Sequence, residues 1–304
     1  MNRIRTFAYS VLCFLFVSAG APLCFASGVD AANAGIQAYK QGDKKKAIVL
    51  FKSALKSNEL SKENYILVNN QLCEVLWSES RNAEAVDCYS ETLYLSPDDP
   101  VALLGRGTLY HHMAKHQNAV EDLIRYTALS PRSPKGYIDR GLAFRLLKKY
   151  DRAISDLSSA VRLRPGNGEG YIHRGITYFE AGNYNIALAD FKKAVKIDSE
   201  NPYAYQSMAW VYAASPNHDF RNGAKAVELA EKAVNLEDSD TPDPVFPATL
   251  AAAYAESGMY GKAVEAQKQS IARIKGYRTG FNLPKEELYR RLKLYERGES
   301  YHSD

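Results

Sequence analysis

The sequence predicts an all-α protein, a solenoid of about seven helix hairpins closed by a C-terminal capping helix. Three observations carry that expectation. Residues recur at a spacing of 34: Gly107, Gly141 and Gly175 form one column, Arg106, Arg140 and Arg174 the one beside it, and Tyr110, Phe144 and Tyr178 a third. Within each unit apolar residues return every three or four positions, as in Ile154, Leu157 and Val161, and no strand-like alternation persists. Pro97, Pro131 and Pro165 close three successive units where a second helix has to stop. So many columns at one spacing are the mark of stacked repeats, in which each unit buries its apolar face only against its neighbours.

The elements follow in chain order. Arg3 and Arg5 precede an uncharged run, Thr6 to Ala26, whose centre FAYSVLCFLFV is apolar and whose end is broken by Gly20 and Pro22. A basic start, an apolar middle and the exit Cys24-Phe25-Ala26 read as a secretory signal, residues 1–26, cut after Ala26. An uncleaved anchor is the second reading, because 21 uncharged residues just span a bilayer. A lipid on Cys24 is disfavoured by the Pro22-Leu23 lead. Hairpins are expected over 28–61, 62–99, 100–133, 134–167, 168–201, 202–240 and 244–275. The first is read through Gly35, Gly42, Ala47, Phe51 and Ala54, the second through Ala85, Tyr89 and Pro97. Cys73 and Ala209 extend the glycine column by one step on each side. In 202–240 roughly five extra residues lengthen the turn around Ser215–Gly223, and 244–275 is read through Tyr254, Gly258, Tyr260 and Ala263. Residues 276–304 hold a turn-like linker, a helix bracketed by Pro284 and Gly298, and a tail. In that capping helix Leu288, Leu292 and Tyr295 make the inner stripe, leaving Arg290, Arg291 and Lys293 in water.

The pattern of small residue then aromatic in a first helix, Ala then bulky apolar in a second, and Pro at the end resembles the tetratricopeptide-repeat (TPR) family. The resemblance runs over about 28–275. It implies a right-handed α-solenoid whose first helices line a concave groove, and a non-catalytic function in protein binding.

Composition agrees with that and excludes other classes. Of 304 residues 46% are apolar and 24% charged, which rules out collagen-like and wholly disordered chains. Lys and Arg number 39 against 35 Asp and Glu, a net charge of +4 that does not point to nucleic acid. Four cysteines are too few for a disulfide scaffold, but Cys73 and Cys88 stand on opposite helices of one hairpin, either as a disulfide or as two small buried side chains. The 21 tyrosines, against two tryptophans, fall largely into repeat columns (Tyr110, Tyr178, Tyr212 and Tyr254; Tyr137 and Tyr171) and read as packing.

Carried onto this chain, the groove-facing register of the family holds Tyr39, Trp77, His111, Arg145 and Phe179, with Ile36, Glu74, Thr108, Leu142, Ile176 and Trp210 one turn earlier, so both tryptophans fall on the expected groove. Aromatic side chains suit binding because fixing them costs little entropy. The competing reading packs Tyr39, Trp77 and Phe179 against neighbouring repeats. The arginine column and Asp122, Asp156 and Asp190 read as a ladder of ion pairs setting register. His111, His112 and His116 lack a nearby Cys or acidic cluster to complete a zinc set, and a turn is expected between the last two. Lys44-Lys45-Lys46 reads as a solvated run on an inter-helix turn. No phosphate loop, nucleophile elbow or zinc-helix motif is present, so neither enzyme nor cofactor is expected. The expected activity is a scaffold or adaptor that holds a peptide or protein partner in its groove, exported to the periplasm or beyond in a bacterial envelope. It has no nucleic-acid partner, and it meets a membrane only through an uncleaved N-terminus. The alternative is a self-assembling structural component, so homo-oligomerisation stays open.

Overall fold

The computed structural model describes residues 27–238, 240–274 and 285–303. The signal assigned to 1–26 and the linker before Lys285, with Pro284, lie outside the described residues. Among these residues every regular element is helical, and they divide into two compact units, 27–147 and 148–303. No helix among them is long and apolar enough to cross a membrane.

In the first unit α1 (Gly28–Lys40) pairs with α2 (Lys44–Lys56), α3 (Lys62–Ser78) with α4 (Asn82–Leu95) and α5 (Pro100–His112) with α6 (His116–Leu129), while α7 (Pro134–Leu146) packs on α6. Helices α1, α3, α5 and α7 also touch in succession and so form one layer. The second unit repeats the scheme. Helix α8 (Tyr150–Leu163) packs on α9 (Gly168–Glu180), which pairs with α10 (Tyr184–Ile197); α11 (Pro202–Ala214) pairs with α12 (Gly223–Asn235), and α13 (Val245–Glu256) with α14 (Tyr260–Ile274). Here α9, α11 and α13 make the first-helix layer, and α15 (Lys285–Glu296) packs on α14. The expected extra residues after α11 form a loop containing one 3-10 turn, His218–Phe220.

Local chemistry explains the boundaries. Ser27, Asp43, Ser61 and Asp99 cap the N-termini of α1, α2, α3 and α5 through side-chain acceptors. Pro100, Pro134 and Pro202 open α5, α7 and α11, where a missing N–H has no intrahelical partner to lose. Most first helices stop on a left-handed residue: Gly42, Gly182 and Gly258, but also Ser80, Ala114 and Lys148. The glycine column marks close helix contact. A Cβ on Gly175 would lie 2.5 Å from the Phe191 ring, and one on Gly35 2.7 Å from Phe51.

The ion-pair ladder includes two forked contacts among the described residues. Arg106 donates from Nε and Nη2 to Asp122, each at 2.8 Å, and from Nη1 to Ser90 of the preceding hairpin at 2.9 Å. Arg174 repeats this with Asp190 at 2.8 Å and Ser158 at 3.1 Å. Each arginine therefore joins both helices of its own hairpin to the second helix of the one before. The carboxylates are nearly buried, with 7% and 8% side-chain exposure, so removing either partner strands a charge. Cys73 and Cys88 form a disulfide between α3 and α4, their Cα atoms 5.5 Å apart.

Two expectations are corrected. Lys44–Lys46 form the first turn of α2, because Asp43 caps the helix directly before them and starts it earlier than the charge run suggested. Arg291 is not in water: it is 4% exposed, because α15 turns its whole inner side, not only its apolar stripe, into the unit. Leu288 and Tyr295 are fully buried as expected, and Arg290 and Lys293 are exposed.

Candidate functional site

The first-helix layer of the unit 27–147 brings four of the six groove residues together. Tyr39 on α1 lies near Glu74 on α3, whose negative charge adds to burial in raising the phenol's pKa. One turn along α3, the Trp77 ring tilts at 52° against His112 of α5, with centroids 5.8 Å apart. His111 sits 5.8 Å from His112 and 5.3 Å from His116, which begins α6 just across the turn. Arg145 of α7 is close enough for its charge to oppose protonation of both His111 and His116.

The electrostatics of this face are unusual for a packing surface. Burial pushes the His111 imidazole down to about 4, and the neighbouring His112 and His116 add to that. Burial lowers His112 and His116 as well, so all three rings are neutral at pH 7. The Nδ1 atoms of His111 and His116 are buried without a hydrogen-bond partner, and so is Oδ1 of Asn70 on α3, although its Nδ2 donates to Asp99 at 3.0 Å. Burial raises the Glu74 carboxyl, which makes no ion pair or hydrogen bond among the described residues. Thr108 donates to Asp139 at 2.6 Å, and Lys135 approaches that carboxylate at 3.0 Å. Unsatisfied buried polar atoms are costly to a fold unless a ligand completes them. Among the described residues no group of three or more His, Cys, Asp or Glu is arranged to hold a metal ion.

The two remaining groove residues lie in the unit 148–303, and each is partly covered. Phe179 packs on Tyr184 at 5.5 Å, which in turn packs on Phe220 of the long loop at 5.0 Å. Trp210 lies under the C-terminal segment. The Arg291 guanidinium sits 4.7 Å above its ring and 4.1 Å from that of Tyr301, and the Trp210 and Tyr301 centroids are 5.9 Å apart. Farther along the same layer a cleft of about 290 Å³ remains, with Ile172 and Ile176 of α9 and Tyr203 and Gln206 of α11 on its walls.

The structure adds residues that the repeat register did not single out: Asn70, Asp139 and the tail around Tyr301. Asn70 and Asp139 are polar residues buried in helices, and their type alone carried a signal. Tyr301 was detectable only as a lone aromatic in a polar tail.

Family models of the tetratricopeptide repeat match residues 104–168 and 168–201. No curated protein matches the sequence. Among solved structures, a tetratricopeptide repeat protein from Parabacteroides merdae is 17% identical over 88% of this chain and 98% of its own, with a TM-score of 0.72. MamA from Desulfovibrio magneticus RS-1 is 19% identical over 57% of this chain and 95% of its own, at a TM-score of 0.54. A chain of the APC/C hetero-tetramer Cut9–Hcn1 is 15% identical over 88% of this chain and 49% of its own, at 0.60. At such identities the likeness is one of fold alone.

Proposed function

The chain is a tetratricopeptide-repeat protein, and from that premise we propose that it is a protein-binding scaffold whose docking face is the layer of α1, α3, α5 and α7. A partner segment places an apolar side chain against Trp77 and His112, and a Lys or Arg toward Glu74. The observation that carries this is the half-buried Glu74 carboxyl, one turn before Trp77 on α3, with no partner of its own among the described residues. A cation brought there would compensate a charge the fold leaves exposed to desolvation, and would do so in a setting of reduced dielectric.

Export belongs to the same reading. The basic-then-apolar leader supports it, as does the Cys73–Cys88 bond, since disulfides persist in oxidising compartments. A role as an adaptor in envelope assembly follows from a non-catalytic scaffold in that location.

Affinity capture from the native organism, followed by mass spectrometry, tests the docking face. Three tagged baits are compared: the unaltered chain, the double variant Trp77→Ala/Glu74→Gln, and Tyr94→Ala on the far helix layer, where the side chain is 86% exposed. The partner is expected to be lost from the double variant only. Retention by the double variant with loss from Tyr94→Ala would move the interface to the second helices. Self-association in light scattering that Tyr94→Ala abolished would favour the structural alternative.

A further inference from the structure

Residues 299–303 are built differently from the helix that precedes them. Helix α15 ends on the left-handed Gly298, where the N–H groups of Gly298 and Glu299 return to the carbonyls of Tyr295 and Leu294 at 3.1 and 3.0 Å. The chain then leaves α15 and crosses the C-terminal ends of α13 and α11. Ser300 Oγ donates to the Ala255 carbonyl at 2.9 Å, and His302 meets Glu256 at 2.9 Å. The Ser303 N–H and Oγ both donate to the Ala214 carbonyl, at 2.9 and 2.7 Å. Between them Tyr301 is the single aromatic anchor, 8% exposed, against Arg291 and Trp210.

This is how a peptide ligand docks: main-chain acceptors at helix ends are satisfied by an extended segment, and one aromatic side chain fills a formed slot. The Ala214 acceptor is available for a specific reason, whereas the Ala255 carbonyl also takes the Gly258 N–H at 2.9 Å. Helix α11 leads into the long loop through Ser215 in an extended conformation (φ −56°, ψ 134°) and lacks the left-handed turn that closes most other first helices. Its last carbonyl, on Ala214, is therefore left for an outside donor. The slot itself is held by α15, whose Leu288 and Tyr295 are fully buried and whose Arg291 is fixed by Glu287 at 3.1 Å.

We propose that the slot formed by Trp210, Arg291 and the ends of α11 and α13 is a binding site for an extended tyrosine-bearing peptide, and that residues 299–303 are its resident, displaceable occupant. The inference deepens the scaffold reading, since it rests on the first-helix layer being where ligands sit. The tether explains why so short a segment holds the site: a covalently linked ligand acts at an effective concentration in the millimolar range, so full occupancy needs only weak intrinsic affinity. A partner segment with the same tyrosine and further contacts can then displace it.

The test uses a fluorescein-labelled peptide, GESYHSD, corresponding to residues 298–304, with anisotropy as the readout. It is titrated with the full chain and with a chain ending at Gly298. The shortened chain is expected to bind saturably and the full chain at least about 10-fold more weakly. The same peptide with Tyr301→Ala should lose at least about 10-fold on the shortened chain, and so should the shortened chain carrying Trp210→Ala. Absence of saturable binding to a shortened chain of native helicity overturns the proposal, as does equal binding by both chains. If shortening abolishes helicity, the full chain with Tyr301→Ala takes its place and is expected to admit the peptide. Native helicity there without binding, or loss of helicity there too, makes the tail part of the core and overturns the proposal. The assay involves no cellular partner. Its failure leaves partner capture through Trp77 untouched, and loss of capture leaves peptide binding at Trp210 standing.

Discussion

His111 shows how one side chain reports the nature of a face. Its ordinary value of 6.5 is lowered to about 4 chiefly by burial, so the unfolded chain binds a proton at this position before the folded one does. The stability contributed by keeping the ring neutral is complete above pH 6.5 and declines as pH falls from there toward 4, because in that window the unfolded state holds more protons. His112 and His116 are lowered too and act in the same direction. Unfolding free energies from urea titrations at pH 7.5 and pH 5 are expected to differ less for His111→Gln than for the unaltered chain, by roughly 1–2 kcal/mol after allowing for the part of the ring that meets solvent. Equal acid sensitivity in the two proteins would place the ring in a wetter setting than the structure does. Arg291 teaches the converse lesson about reading single residues. Its type and its place beside an apolar stripe suggest solvent, yet it stacks between Trp210 and Tyr301, and the planar guanidinium makes that burial tolerable.

At the scale of elements, the turn closing each first helix is where local sequence and repeat geometry disagree. The 34-residue register brings Ala114, Lys148 and Gly182 to the same left-handed position, with φ of 58°, 55° and 79°. Only glycine takes that conformation without a Cβ penalty. Ala114→Gly is therefore expected to stabilise the protein by about 0.5–1 kcal/mol, seen as a raised Tm with unchanged helicity. A lowered Tm would mean that the loss of unfolded-state restriction outweighs the relieved strain. The helices themselves were legible in the sequence because their determinants are local and repeated: proline at N1, a small residue at each close crossing, and apolar positions three and four apart. The long loop after α11 was legible as well, since an insertion shows as a break in register. What the loop does to the Ala214 carbonyl was not, because the missing donor lies 89 residues away on Ser303. The site was legible in the same uneven way. The register found Tyr39, Glu74, Trp77, His111 and Arg145 on one layer, but whether an aromatic in that register is open or covered depends on which distant segment returns to it. For Trp210 that segment is the tail.

For the molecule as a whole, the repeated columns serve cohesion, and the tail slot proposed for binding lies where the chain departs from them. Arg106 and Arg174 each reach back to a serine of the preceding hairpin, so a hairpin's stability depends on its neighbour, as expected where nearest-neighbour interfaces supply much of the folding energy. The tyrosine excess belongs to the same cohesion: the rings of Tyr110, Tyr137 and Tyr171 lie 5.5–5.7 Å from the arginines of the next column. The disulfide of the second hairpin has a mechanical consequence. A chain drawn out by its two ends transmits tension through the sulfur bridge and never through the loop it closes, so the segment between Cys73 and Cys88 bears no load. With a sequence separation of 15 between the bridged residues, a fully stretched oxidised molecule falls short of the reduced one by about 45 Å. In an optical trap, adding a reductant should release that hidden length in one step, and an unchanged final extension would show that the bridge had not formed.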